Sequence, residues 1–236
     1  MYSHKDGIYL RKLKRDDLSS LVTLKCESWW GTHGTLAPNQ DDQLRWYESQ
    51  SGSNRELFMF AEFDDGELAV SQKAYKGHDV GIACYTDIDW LSRTLNISGS
   101  IYKNRRKDEV VKAAFAAGLD FAFEILNMQR VGAEVLECNA AAQKLEIGYL
   151  GFRVEGTRRR AVYKSGRYYN SVMLGILREE WEEQGRVKAY GGSCNKTFDH
   201  DFAEKSASRF VRSQKELRSN VALKATDPPA SYDEFH

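Results

Sequence analysis

The stretch around residue 105 carries side chains suited to binding an anion. Residues 100–115 read SIYKNRRKDEVVKAAF, and two lysines and two arginines fall within five positions just ahead of an apolar helical pattern. A helix start carries partial positive charge and favours acidic side chains, so cations there are unfavourable unless an anion joins them. Asp108 and Glu109 supply part of that negative charge. The remaining positive charge predicts either a phosphate site or a solvated run of cations.

Composition limits the partners that this charge can serve. Lys+Arg and Asp+Glu both total 34, so the formal net charge is zero. A neutral chain has no global field that would attract nucleic acid or an anionic membrane, so any anion site must be local. No apolar run approaches the roughly 20 residues of a membrane helix, and the start lacks a signal-peptide pattern. We therefore expect a soluble, cytoplasmic protein without a membrane partner.

The four cysteines are scattered, and neither they nor the five histidines show metal-ligand spacing. The sequence thus predicts no metal site and reduced thiols. Cys138 is interpreted as a small buried thiol at a strand end, with a nucleophile as the alternative.

Apolar periodicity predicts one mixed α/β domain without internal repeats, because strand and helix patterns alternate along the chain. Two helices and several strands come first, then strand–helix–strand–helix, then a hairpin. The predicted strands are 8–13, 56–63, 80–89, 94–102, 130–137, 152–164 and 168–177, and the predicted helices include 108–126 and 140–149.

The chain changes character after Trp181. Residues 185–236 are dense in charge and poor in apolar side chains, with a GGS break at 191–193 and a possible helix at 199–218. This composition is typical of an appended, partly disordered extension. We expect residues 1–184 to form the domain.

Several segments in order resemble the GNAT superfamily of acyl-CoA-dependent N-acetyltransferases, over residues 8 to 181. LECNAAAQKLEIGYLGFRVEGTRRR (136–160) is similar to the family's strand, Asn, short helix, "GF" and "EG" segment. YYNSVMLGILREEW (168–181) resembles the closing strand of the RimJ/RimL-like and amino-sugar acetyltransferase branch. The resemblance implies a mostly antiparallel sheet flanked by helices. It also implies acetyl transfer from acetyl-CoA to a primary amine.

The resemblance assigns the opening cations to the cofactor's phosphates. The strand before the long helix would lie along the thioester and pantetheine arm, and its backbone N–H groups could polarise the thioester carbonyl. Lys107 and Glu109 stand where the family's phosphate loop has glycines. The residues implied in cofactor binding are Ser100, Ile101, Tyr102, Arg105, Arg106, Lys107, Asp108, Glu109 and Asn139.

Candidate catalytic residues follow from the same resemblance. Tyr149 would protonate the departing thiolate, although its segment is one residue longer than expected and the aligned position lies nearer Glu146. A carboxylate would take the proton of an ammonium substrate, and Asp87, Asp89 and Glu137 are candidates or else turn carboxylates. Trp29, Trp30 and His33 are predicted to lie on the acceptor side.

Three functions stay open at this point. The first is an N-acetyltransferase for a small amine, an amino sugar or a modified nucleotide. The second is an acetyltransferase for protein or peptide N-termini. The third is a GNAT-shaped binding or inhibitor protein with a degraded phosphate loop. A homodimer is compatible with each.

Overall fold

The computed structural model describes residues 4–5, 7–34, 38–50, 53–63 and 77–184. The strands are β1 His4–Lys5, β2 Ile8–Lys12, β3 Glu56–Phe63, β4 Gly77–Asp89, β5 Thr94–Ile101, β6 Arg130–Leu136, β7 Arg153–Lys164 and β8 Arg167–Leu177. The α-helices are α1 Leu18–Ser28, α2 Gln40–Ser49, α3 Asp108–Asp120, α4 Ala140–Gln143 and α5 Arg178–Glu183.

The described strands form one mixed sheet in the order β1-β2-β3-β4-β5-β6-β8-β7. Adjacent strands are antiparallel throughout this sheet except for the parallel pair β5 and β6. The mixed, mostly antiparallel sheet flanked by helices is therefore confirmed.

Helices cover both faces of the sheet. Phe58 and Phe60 of β3 belong to the large core cluster that includes α3, and Phe58 meets Phe121 at 5.0 Å between ring centroids. Leu57 and Met59 of the same strand pack with α1 on the opposite face. Because successive residues of a strand point to opposite faces, this double burial explains the continuous apolar run ELFMFAEF.

The pairing of β5 with β6 is short. Three rungs join them: Thr94 with Arg130, Leu95 with Val131, and Asn96 with Gly132. β5 continues to Ile101 and β6 to Leu136 without further rungs between them. The two strands therefore part beyond the third rung, and we call the gap between them the β5–β6 cleft.

Two helices end in π-helical turns. α3 continues as the π-helical segment Phe121–Ile125, and α4 continues as Lys144–Tyr149. In the second segment the Leu150 N–H donates to the Leu145 carbonyl at 2.9 Å, an i→i+5 bond. A π-helical turn accommodates an inserted residue inside a helix. It thus accounts for the extra residue that the sequence shows before Gly151.

The structure bears on the expectations for Cys138 and for the charged extension. Cys138 is exposed, so its interpretation as a buried thiol was wrong; β6 ends at Leu136, and Cys138 lies in the turn beyond it. The charged extension at 185–236 and its possible helix lie outside the described residues.

Within the residues described, no helix combines the length and apolar character that crossing a bilayer requires.

α5, the last helix of the described residues, packs against the core. Trp181 is fully buried, its ring stacks on Phe123 at 6.3 Å, and its Nε1–H donates to Asp120 Oδ1 at 3.0 Å. The Gln184 amide donates to the Leu150 carbonyl at 3.1 Å. The packing that α5 contributes to the domain is thus in place by residue 184.

We predict that truncation after Gln184 leaves a cooperatively folded domain, because the buried ring of Trp181 is retained. Truncation after Arg178 removes that ring and should destabilise the domain by about 3–5 kcal/mol, the typical cost of deleting a buried Trp side chain. Thermal unfolding of both truncations against the full chain measures this. A molten 1–184 fragment would show that residues beyond 184 contribute to the core.

Candidate functional site

The β5–β6 cleft is surrounded by segments that follow directly from its two strands. β5 leads into the 3-10 turn Lys103–Arg105 and the start of α3. β6 leads through a turn to Asn139, which caps α4. Short connections therefore fix both segments at the open end of the cleft.

The loop before α3 exposes backbone donors at the helix start. The first bond of the helix runs from the Val111 N–H to the Lys107 carbonyl at 3.0 Å, and the Lys107 side chain makes no capping bond. The N–H groups ahead of Val111 are the ones that a helix leaves without internal acceptors. Together with the helix dipole, they favour an anion at this point.

The cations of this loop are only partly neutralised by the protein. Arg105 lies 3.5 Å from Glu62, and the Arg106 Nε–H donates to the Ile101 carbonyl at 2.9 Å. Lys107 has no ion-pair partner in the described part of the chain. Positive charge is therefore left over beside the helix start.

The missing family glycines do not distort this loop. Lys107 has φ −79° and ψ 144°, an extended conformation that any residue adopts. No described residue between 103 and 109 has a positive φ. Because glycine is needed chiefly where φ is positive or the backbone is crowded, the loop keeps its shape without it.

One predicted backbone donor is already used. The Tyr102 N–H donates to the Val80 carbonyl at 2.9 Å, and the Tyr102 hydroxyl donates to Ser20 Oγ at 2.9 Å. Tyr102 therefore cannot offer its N–H to a thioester carbonyl. Because N–H groups along a strand alternate between its two neighbours, the Ser100 N–H also faces β4, opposite Ile82. The expectation therefore narrows to the Ile101 N–H.

The helix after β6 carries a buried carboxyl. Glu146 Oε2 is closed to solvent and has no hydrogen-bond partner among the described residues. Burial raises the pKa of Glu146 to about 8. The neighbouring Tyr149 packs against the core, with Lys112 Nζ 5.0 Å from its ring centroid. Near neutral pH, Glu146 thus keeps a proton that an exposed glutamate would have lost.

A polar cluster lies where α1 ends against β6 and β8, and we call it the acceptor-side cluster: His33, Ser171, Glu134 and Arg158. His33 Nε2 lies 2.8 Å from Ser171 Oγ, and the Ser171 hydroxyl donates to Glu134 Oε2 at 3.2 Å. Arg158 forms an ion pair with Glu134 at 2.9 Å. Burial lowers the pKa of His33, which favours the neutral imidazole. Of the four, sequence reasoning found His33 alone.

The exit of α1 is held against the β7–β8 hairpin. Lys164 donates to the Trp29 carbonyl and lies 4.7 Å from the centroid of its ring, although Lys164 itself is buried. The Asn139 amide donates to the Gly31 carbonyl at 3.0 Å, and its oxygen accepts from the Ala142 N–H. Trp30, by contrast, is 55% exposed. Asn139 thus connects the α1 exit to α4 as well as capping the helix.

The three candidate base carboxylates each have a structural partner. Asp89 accepts from the N–H groups of Leu91 and Ser92 at 2.9 and 3.0 Å, and these bonds lower its pKa. Asp89 pairs with Thr94 at the far end of β5. This end lies about 23 Å along the strand from the cationic loop before α3.

The other two carboxylates hold neighbouring amides. Asp87 accepts from the Asn96 amide at 3.0 Å. Both oxygens of Glu137 accept from Asn170, at 2.8 and 2.9 Å. Their catalytic roles stay predictions, and none of the three lies within the acceptor-side cluster.

Comparison with known proteins decides the family. A family model described as the acetyltransferase (GNAT) domain matches residues 8–153. The chain belongs to this family. GNAT acetyltransferases use acetyl-CoA, so the predicted enzyme class and the predicted cofactor are both confirmed.

Individual relatives of this GNAT protein are distant. It is 24% identical over 178 residues to the SPbeta prophage-derived uncharacterized N-acetyltransferase YokL of Bacillus subtilis, covering 75% of this chain and 93% of that protein. Among solved structures, it resembles the Vibrio cholerae spermidine N-acetyltransferase in complex with CoA and spermine. That match has a TM-score of 0.63 and 19% identity, and covers 75% of this chain and 99% of the other. At this level of sequence identity, the match to the solved structure is evidence for the fold alone.

The raised pKa of Glu146 predicts a pH-dependent stability. Between its unfolded value of 4.5 and about 8, the unfolded chain loses a proton that the folded protein keeps. The free energy of unfolding should therefore fall as pH rises through this window, by a few kcal/mol at about 1.4 kcal/mol per pKa unit. In thermal melts from pH 5 to 8.5, Glu146→Gln should lack this decline and exceed the wild type most at high pH.

The exposed Glu183 on α5 provides a matched control, since Glu183→Gln should follow the wild-type curve at every pH. Parallel curves for Glu146→Gln and the wild type would mean that the Glu146 carboxyl is hydrated in solution.

Proposed function

We propose that this enzyme acetylates the primary amine of a small molecule, with acetyl-CoA bound along the β5–β6 cleft. The observation that carries the proposal is the three-rung pairing of β5 with β6, which leaves one edge of β5 open beside an under-neutralised cationic loop. Within the family, the segment at 168–181 favours the RimJ/RimL-like or amino-sugar acetyltransferase branch. Structural neighbours described as spermidine N-acetyltransferases support an amine acceptor.

The cofactor fits the groups that the cleft offers. The edge of β5 from Ile97 to Ile101 has backbone N–H and C=O groups without strand partners, which suit the extended, amide-bearing pantetheine arm. Arg105, Arg106 and Lys107 and the N–H groups at the start of α3 would bind the phosphates. When bound, acetyl-CoA supplies the activated acetyl group.

The acceptor-side cluster can remove the proton of an ammonium substrate. A neutral His33 imidazole accepts a proton, and its hydrogen bond with Ser171 orients the ring. Glu134, 3.7 Å from His33 Nε2, would stabilise the imidazolium that forms. The free amine can then attack the acetyl carbon.

The leaving sulfur needs a proton, and we propose that it comes from Glu146. A carboxyl that stays protonated near neutral pH is a suitable donor, and its Oε2 is not engaged with another described group. The position that aligns with the family's tyrosine lies nearer Glu146, whereas the ring of Tyr149 packs against the core beside Lys112. After the transfer, the carboxylate regains a proton from the acceptor side, where the amine nitrogen loses its second proton as the amide forms.

We predict that Arg105→Ala combined with Arg106→Ala weakens CoA binding by more than about tenfold, since a charge-assisted hydrogen bond contributes roughly 1.5–3 kcal/mol. Calorimetric titration with CoA measures the change. Arg45→Ala on α2 is a control for loss of surface charge, because Arg45 pairs with Asp42 outside the cleft.

An unchanged titration curve would assign the two arginines to a solvated surface without a ligand. Arg105→Ala alone should also be tested, because Arg106 bonds to the Ile101 carbonyl and its loss affects the loop itself.

We predict that Glu146→Gln lowers kcat by about 10²–10⁴-fold with little change in CoA affinity, because the amide cannot donate the proton that thiolate departure requires. Tyr149→Phe keeps the ring packing and should retain most activity. Steady-state kinetics on both variants separate the two assignments. The reverse pattern would give the acid role to Tyr149 and leave Glu146 structural.

A further inference from the structure

Positive charge is concentrated on the β7–β8 hairpin although the chain as a whole is neutral. Between residues 153 and 167 there are six cations and one acid, Glu155. Glu155 is itself paired with Arg130 of β6. A local field of this kind acts on whatever binds beside the hairpin.

Three consecutive arginines of the hairpin, Arg158, Arg159 and Arg160, run from a paired position into a bulge, and we call this run the arginine bulge. Arg158 pairs with Ser171 and Val162 pairs with Tyr169, so three residues of β7 lie opposite Asn170 alone. Arg160 adopts a positive φ of 53°, a conformation that costs on the order of 1 kcal/mol for a residue other than glycine.

The bulge is held in place by side chains. The Arg160 N–H donates to Asn170 Oδ1 at 2.8 Å, and Glu137 in turn holds the Asn170 amide and backbone. This chain of bonds gives Glu137 a structural role. The same bonds hold Arg160 in its positive-φ conformation.

Among the described residues, carboxylates neutralise one of the three arginines of the arginine bulge, Arg158. Arg158 pairs with Glu134, and both oxygens of Glu137 are bonded to Asn170. Arg159 and Arg160 are exposed and have no ion-pair partner within the described residues. An open surface concavity is lined by Arg158, Arg159, Arg160 and Ala161. Two guanidinium groups are thus available at a concave surface.

This concavity adjoins the acceptor-side cluster. Arg158 belongs to both, and it is the cross-strand partner of Ser171, which contacts His33. Arg160 follows two residues later, within the bulge. A small molecule with its amine at His33 can therefore reach the arginine bulge with a second group.

Building on the proposed acetyl transfer, we propose that the acceptor amine carries an anionic group, a phosphate or a carboxylate, that Arg159 and Arg160 bind. A guanidinium presents paired N–H donors that match the oxygens of either anion. A polyamine such as spermidine, which is a polycation, would be repelled by the same two side chains. Acceptor preference should therefore differ from that named for the Vibrio cholerae structure.

The experiment compares matched acceptors with the full-length enzyme and acetyl-CoA. O-phosphoethanolamine, β-alanine and ethanolamine present an amine with a phosphate, a carboxylate or a hydroxyl, and spermidine is the polycation. We expect wild-type kcat/KM to be higher for one or both anionic acceptors than for ethanolamine, and lowest for spermidine. The preferred anionic acceptor identifies the kind of anion.

Arg159→Ala with Arg160→Ala should lower the ratio of kcat/KM between the preferred anionic acceptor and ethanolamine by roughly tenfold or more, as expected for losing charge-assisted bonds. Arg153→Ala on the same strand is the control, because Arg153 pairs with Glu180 and lies outside the concavity. Its ratio should not change. Arg159→Ala alone preserves the anchored Arg160 backbone and should show part of the effect.

Calorimetric binding of O-phosphoethanolamine and β-alanine to the CoA-loaded enzyme tests the site without turnover. Binding that disappears in the double variant supports the anion site even if none of these amines is acetylated, in which case the proposed small-amine acetylation fails separately. A ratio unaffected by the double variant, a preference for spermidine, or absence of binding would overturn the proposal. The arginines would then serve to keep an edge strand from pairing with other chains.

Discussion

The three rungs between β5 and β6 are the constraint on which the rest of the structure depends. Antiparallel pairing is continuous on either side of this junction, so the sheet consists of two halves joined by a short parallel contact. Contacts with α3 join the two halves where strand pairing does not. The Tyr85 hydroxyl donates to the Gly118 carbonyl of α3, and Trp181 anchors the C-terminal half to Asp120 on the same helix. The sheet can therefore part without losing its core.

In the proposed mechanism, proton transfer depends on the environment of two side chains more than on residue type. Burial raises the pKa of Glu146 and lowers that of His33, so both groups favour the uncharged form near neutral pH. An uncharged carboxyl can give a proton, and an uncharged imidazole can take one. Groups whose surroundings shift their pKa values in this way make an acid and a base available at one pH.

Local patterns in the sequence predicted the helices and strands well. Contacts between segments far apart in the sequence could not be predicted from these patterns. The strand 56–63 and the helix starting at Asp108 agree with the structure because alternation, apolar runs and capping are encoded within a few residues. The bond between His33 and Ser171 joins segments 138 residues apart, which no periodicity reveals. The absence of the family glycines suggested a degraded phosphate loop. The extended backbone at Lys107 shows that the loop reaches its shape without them.

The place of β8 in the sheet has a consequence for how the chain is made. β8 lies between β6 and β7 in the sheet. It therefore pairs with β7, which directly precedes it, and with β6, which ends 30 residues or more before β8 begins. During synthesis the apolar edge of β6 therefore emerges long before the strand that covers it. Until residue 177 leaves the ribosome, that edge is a template for pairing with another nascent chain, the kind of transient exposure from which chaperones protect proteins.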